Sequence, residues 1–210
     1  MSNKCYYNNS ANKKMLNTIE TLLSVKKIAF YKEEFGDSWF KAYKAELSQA
    51  KEIFVCLHFL EIFLRNKIAI ELSQDFGNWF FDKKCPLKLN PREQEKITIA
   101  IETLNKTGKE ISQDNIISNL NFGFWTNLFH KSYHVPIWQK NKIIERVFPY
   151  LKNNQRNLKQ IQKEMEAIRK FRNRIFHFEN LQGWNFEEME KLIDKFIYGV
   201  SGAKIKEILE

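Results

Sequence analysis

Three residues within six positions carry the types that phosphodiester chemistry asks for: Arg172, Asn173 and His177, in the run Arg-Asn-Arg-Ile-Phe-His. A histidine can take or give a proton near neutral pH. An arginine can hold a phosphate through two parallel hydrogen bonds and stabilise charge that builds on it. RNA brings its own nucleophile, the 2′-hydroxyl, so such a site needs no metal. One helix supplies only one such histidine. A two-fold dimer would set two copies side by side and provide both an acid and a base.

The element that must position these residues is Asn157 to Glu179, which has strong helical periodicity. At roughly 100° per residue, with Arg169 at zero, Ile161, Met165, Ile168 and Ile175 fall between about −40° and −120° on one stripe. Arg172 falls at about −60°, inside that stripe, while Asn173 and His177 fall at about +40° and +80°, off its edge. A cation in an apolar stripe is costly unless paired. One reading is a structural arginine bonded to a neighbouring carboxylate. Geometry alone favours that reading; the functional reading is a head that serves a cleft rather than a salt bridge. Asn173 and His177, four apart, would then be neighbours on one face, free to meet a second protomer.

The rest of the chain reads as helical. It has 210 residues, 43% apolar, with 18 Phe and 5 Trp but only 7 Gly and 4 Pro. That composition favours helices over hairpins. The balance of 34 basic to 25 acidic residues, a formal charge of +9, permits a polyanionic partner. Cys5, Cys56 and Cys85 are few, widely spaced and odd in number, with no CxxC, so a disulfide framework is not expected and a reducing cytoplasm is. No secretory leader is read at the N-terminus. The run Ile53 to Leu64, interrupted by His58 and Glu61, is too short to span a bilayer, so no membrane is expected.

In order, residues 1–12 are polar. A helix is expected from Lys13, and a second, capped by Asp37, through Leu72 to a stop at Gly77. In its segment Phe59 to Leu72, Glu61 and Arg65 are four apart and suit an ion pair, with Asn66 following. The functional reading makes these three a support shell for the Arg–His stretch; the plain one makes them an internal pair on a core helix. Cys85-Pro86 marks a break, and Asn90-Pro91-Arg92-Glu93 a helix start in which Glu93 bonds back to the cap. That helix should end at Gly108, and Ser112 or Asp114 should start a short one. Asn121 to Phe129, with four aromatics in nine residues, reads as core rather than as a base-stacking platform. His130 and His134 lack evident third and fourth ligands for zinc. His58 reads as a core histidine. Further helices are expected over 137–151 and from Asn185 to about Tyr198, with Gly199 and Gly202 bracketing a last segment. No Walker loop, GxGxxG, HExxH or GxSxG occurs.

The run RNRIFH at 172–177 resembles the Arg-x4-His motif of the HEPN superfamily, whose members often carry Asn directly after the Arg. Together with FLRN at 63–66 and FGFWTNLF at 122–129, it is similar in order and spacing to the Abi-like family, the abortive-infection D/F type, over roughly residues 20–200. Where family members commonly read His-His-Glu, this chain has His177-Phe178-Glu179. The resemblance implies an all-α, HEPN-type helical bundle with additional peripheral helices, taken as one domain over 1–210 with room for a peripheral insertion near 79–135. It implies a homodimeric, metal-independent endoribonuclease without cofactors, acting in phage defence or as a toxin of a toxin–antitoxin pair. Arg172 and His177 match its catalytic pair and Asn173 the polar residue beside it. Glu61, Arg65, Asn66, Arg169 and Arg174 are carried as supporting or RNA-binding candidates. The implied partners are tRNA or another cellular RNA, a second copy of the chain, and a neutralising antitoxin protein or small RNA. The alternatives are a non-catalytic HEPN module that binds RNA or protein and, last, a basic DNA-binding helical protein.

Overall fold

Leucine, isoleucine, lysine and glutamate at helical spacing, with few residues that break helices, produce the expected class. In the computed structural model helices take up 78% of the chain, and no strand occurs among the described residues. Those residues are 6–81 and 87–210, with side chains from residue 13 onward. Cys5, and the break read at Cys85-Pro86, lie outside them. Ten α-helices are described: α1 (Tyr6–Leu23), α2 (Val25–Phe35), α3 (Trp39–Phe76), α4 (Pro91–Lys106), α5 (Gln113–Asn119), α6 (Phe122–Asn127), α7 (Ile143–Val147), α8 (Leu158–Phe176), α9 (Phe186–Ser201) and α10 (Ile205–Leu209). No helix among them is long and apolar enough to cross a membrane. The chain divides into two compact units, one of residues 1–52 and 174–182, the other of residues 53–173 and 183–210. Residues 79–135 all belong to the second.

The first unit packs α1, α2 and the start of α3 around Ile28, Tyr31, Trp39 and Tyr43, with Ile19, Leu23, Phe30 and Phe40 against them. Helix α2 was not anticipated, because no glycine or proline marks its start. The break is made by Ser24, whose φ of 70° turns the chain between two helices. Gly36, at φ 48°, ends α2. Asp37 sits inside a single 3-10 turn, Gly36–Ser38, and α3 begins at Trp39, so the expected cap is corrected. Tyr31 donates its hydroxyl to Glu46 Oε1, and the Leu181 amide donates to the same oxygen at 3.4 Å. Burial, with the Glu46 carboxylate beside it, pushes the Tyr31 phenol well up.

In the second unit, α3 buries Ile53, Leu57, Leu60, Leu64, Ile68 and Leu72, one stripe at helical spacing. His58 lies off that stripe and is exposed, so the core reading of it is corrected. Asn121 caps α6 by accepting from the Phe124 amide, and Phe122, Phe124, Trp125 and Phe129 are all buried. Those rings are therefore closed to bases, and the core reading of NFGFWTNLF stands. Phe129 stacks on Trp138 at 4.3 Å, and Phe148 packs on Phe196 at 5.5 Å.

Several expected caps and stops differ. At the start of α4, the Glu93 side chain does not bond back to Asn90. It is buried at 4% exposure, accepting from Tyr133 Oη at 3.0 Å and Asn127 Nδ2 at 3.2 Å, while the Asn90 amide donates to Tyr133 Oη. The expected helix over 137–151 is broken: a π-helical turn at His134–Trp138 contains Pro136, which has no N–H, and Asn141 and Lys142 take φ of 47° and 55° before the five-residue α7. Helix α9 runs through Gly199 to Ser201. A Cβ on Gly199 would meet Leu151 Cγ at 2.7 Å, so that glycine permits close packing instead of stopping the helix. Gly202, at φ 78°, is the stop.

A charged cluster ties α3 to the segment around α7. Arg146 Nε donates to Glu71 Oε2 at 2.7 Å, and Arg146 Nη2 donates to Asp75 Oδ2. Lys67 Nζ donates to Glu71 Oε1 at 2.7 Å, and Asn141 Nδ2 to Asp75 Oδ1 at 2.6 Å. Burial pushes both carboxyls up, but the hydrogen bonds from Lys67 and Arg146 to Glu71, and from Asn141 and Arg146 to Asp75, outweigh it. Both end below their ordinary values of 4.5 and 3.8. A carboxyl whose folded value is depressed contributes stability above its unfolded value and loses it as pH falls through the folded one. Urea unfolding should therefore show stability dropping as pH falls below these ordinary values. Arg146→Ala should lose about 2 kcal/mol at neutral pH and flatten that drop. An unchanged acid limb in the variant would show that the cluster does not set it.

Candidate functional site

Helix α8 is built as its sequence requires. The Asn157 side chain accepts from the Gln160 amide at 3.0 Å, satisfying a free donor of the first turn. Ile161, Met165, Ile168 and Phe171 are fully buried along one side. Lys195 of α9 donates to Glu164 at 2.6 Å.

The helix ends at Phe176, three residues before the expected limit at Glu179. The Phe178 amide donates to the Ile175 carbonyl at 3.1 Å and the Glu179 amide to the Arg174 carbonyl at 2.8 Å. That paired pattern closes a helix around a left-handed residue, ordinarily glycine. Here the left-handed residue is Phe178, at φ 55°. His177 is thus the first residue beyond the helix, and exposed. The expectation that it continues a helical face with Asn173 is corrected.

Arg172 and Asn173 belong to the second unit, Arg174 and His177 to the first, and each is described within its own. The Arg172 side chain is 20% exposed and its Nη2 lies 3.3 Å from Glu61 Oε2, itself 21% exposed. The expectation that this head avoids a salt bridge is therefore corrected: a guanidinium in an apolar stripe found the carboxylate set among the apolar residues of α3. Glu61 was expected to pair with Arg65. Instead Arg65 Nε donates to Asn66 Oδ1 at 3.3 Å, and Glu61 is brought to Arg172. Of the three supporting residues on α3, Glu61 thus meets the motif directly. Asn173 is half-buried.

The other two basic candidates are engaged locally. Arg169 binds Glu166 through two nitrogens, Nε to Oε2 at 3.0 Å and Nη2 to Oε1 at 2.8 Å. That bond, against burial, holds the Glu166 carboxyl below its ordinary range. Arg174 donates to the Asn180 carbonyl at 2.8 Å, within the turn that closes α8. The histidine pair is also occupied: His130 Nδ1 lies 3.0 Å from Ser132 Oγ, and His134 Nε2 lies 3.0 Å from the Phe129 carbonyl. Among the described residues no group of three or more His, Cys, Asp or Glu side chains gathers in a way that would hold a metal ion.

Chemically, the motif offers an exposed imidazole and a guanidinium held on one side by a carboxylate. The first is open to solvent and substrate; the second is oriented by that carboxylate. Sequence reasoning did not find the Glu61–Arg172 pair, although a signal existed. Each is a charge of opposite sign isolated in an apolar helical stretch, which is how buried partners look from sequence. The sequence matches no protein-family model, no curated protein and no solved structure.

A bulky residue held left-handed costs about 1–2 kcal/mol. The Phe178 ring is 75% exposed, with Lys27 Nζ 5.8 Å from its centroid, a contact worth roughly 0.5 kcal/mol at such a site. Phe178→Gly should therefore stabilise the protein by about 0.5–1 kcal/mol in equilibrium denaturation. A loss of stability would show that the ring contact outweighs the backbone strain.

Proposed function

We propose that the chain is a metal-independent endoribonuclease of the HEPN type, acting as an abortive-infection or toxin effector. The observation that carries the reading is the placement of His177. It is exposed, directly follows the last residue of α8, and is held out of the helix by a neighbour in a strained conformation. Strain of that kind gathers where function over-determines the backbone. In the proposed reaction the 2′-hydroxyl attacks the adjacent phosphorus and the P–O5′ bond breaks. The products are a 2′,3′-cyclic phosphate and a free 5′-hydroxyl. Arg172 steadies the charge on the phosphoryl oxygens, with Glu61 aiming it. His177 takes the 2′-hydroxyl proton or supplies one to the leaving oxygen, and a second copy of the chain provides the other imidazole. Asn173 offers its amide to the substrate. The net charge of +9 favours an RNA substrate, and an antitoxin protein or small RNA would hold the activity in check.

One observation favours a second reading, a non-catalytic module that binds RNA or protein. The Glu61–Arg172 pair is what a purely structural arginine would make. The two readings part on turnover. Under the first, purified protein cleaves tRNA in the presence of EDTA, and His177→Ala or Arg172→Ala lowers the rate by about 10²-fold or more. Circular dichroism should show both variants folded. Wild-type cleavage rates in both variants would sink the ribonuclease reading, whereas salt-sensitive binding without cleavage by the wild type would establish the second.

A further inference from the structure

Helix α3 continues past Glu61 into a groove of about 690 Å³ that α5 closes on its other side. Both walls belong to the second unit. Arg65 and Asn66 line one end, one helical turn beyond Glu61, and Gln74 lines the other. Arg65 to Gln74 spans about 14 Å along the helix axis. That length equals about four stacked nucleotides at roughly 3.4 Å each. Across the groove, Gln113 and Asp114 stand at the start of α5, and Gln113 Nε2 donates to Ser73 Oγ at 2.6 Å, which fixes the two walls.

The chemistry of the walls is mixed in a particular way. Arg65 is half-buried, and its bond to Asn66 uses Nε, so that bond does not occupy the two terminal nitrogens of the fork. Asn66 and Gln74 are exposed amides that can both donate and accept. Ile70, between them, is 53% exposed and offers an apolar surface. One cation and several amides in an open groove suit a single strand: the phosphate goes to the cation and the base edges to the amides. A duplex would need a broader row of cations for its two backbones.

We infer that this groove, from Arg65 to Gln74, binds single-stranded RNA flanking the scissile bond, with Arg65 on a phosphate and the amides on base edges. The inference rests on the ribonuclease reading for its choice of RNA, and it gives that reading a substrate path. Glu61 links the two, holding Arg172 one turn before Arg65 on the same helix. Asp114 is the one acidic group on the wall, and it opposes a bound phosphate.

The test uses full-length protein carrying His177→Ala and a fluorescein-labelled, mixed-sequence RNA of twelve nucleotides, read by anisotropy in EDTA. Arg65→Ala should raise Kd about tenfold and lower the salt slope by about one. Asp114→Asn should tighten binding about twofold to threefold, a gain that a damaged fold would not produce. Duplex RNA should compete poorly with the single strand. Unchanged affinity in both variants, or no RNA binding at all, overturns the groove; if Arg65→Ala unfolds, Asp114→Asn decides. Cleavage by the wild type separates the two proposals. Cleavage with affinity indifferent to both substitutions removes the groove alone. Binding that depends on Arg65 and Asp114, without cleavage by the wild type, removes the ribonuclease reading alone.

Discussion

A guanidinium set into the apolar stripe of a helix must find a carboxylate or stay out of the core, and Arg172 finds Glu61 at 3.3 Å. Each partner is about one-fifth exposed, enough for water to moderate the desolvation cost and too little for the pair to be a loose surface contact. The consequence is positional. Within the second unit, one residue of α8 is tied to one residue of α3, and α3 goes on to carry Arg65, Asn66 and Gln74 along a groove. A structural demand, the pairing of a half-buried charge, thereby orients the residue with the chemistry most suited to a phosphate.

The second constraint is the way α8 ends. With no glycine or proline in the four residues after Phe176, the helix is closed by two backbone hydrogen bonds around Phe178, a residue poorly suited to the left-handed conformation. His177 leaves the helix as a result. A proton-transferring group gains from such a position, since exposure gives it access to substrate. The cost falls on the backbone beside it, at Phe178.

What was legible in the sequence follows from which signals are local. The all-α class came through composition and period, the starts at Ser112 and Asn185 came through side chains that cap, and the start at Pro91 came through its proline, with stops at Gly77 and Gly108. Burial of the rings in NFGFWTNLF followed from their density. Several of the losses share one cause: backbone conformations that no residue type announces. Ser24, Asn141, Lys142 and Phe178 are left-handed without being glycine, and they mark the unexpected α2, the broken stretch before α7 and the early end of α8. At the candidate site, Arg172 was legible as an anomaly and Glu61 as a supporting residue. Their partnership, across 111 positions, was not. The bond between Gln113 and Ser73, 40 positions apart, that fixes the groove walls left no local trace either.

The proposed role of the motif at 172–177 is to promote attack by the RNA 2′-hydroxyl, and the chemistry of the RNA ends tests it most directly. Purified protein incubated with total RNA should leave 2′,3′-cyclic phosphate and 5′-hydroxyl ends that appear with the wild type and not with His177→Ala. Ends bearing 5′-phosphate and 3′-hydroxyl, or cyclic ends produced equally by the variant, would contradict the account.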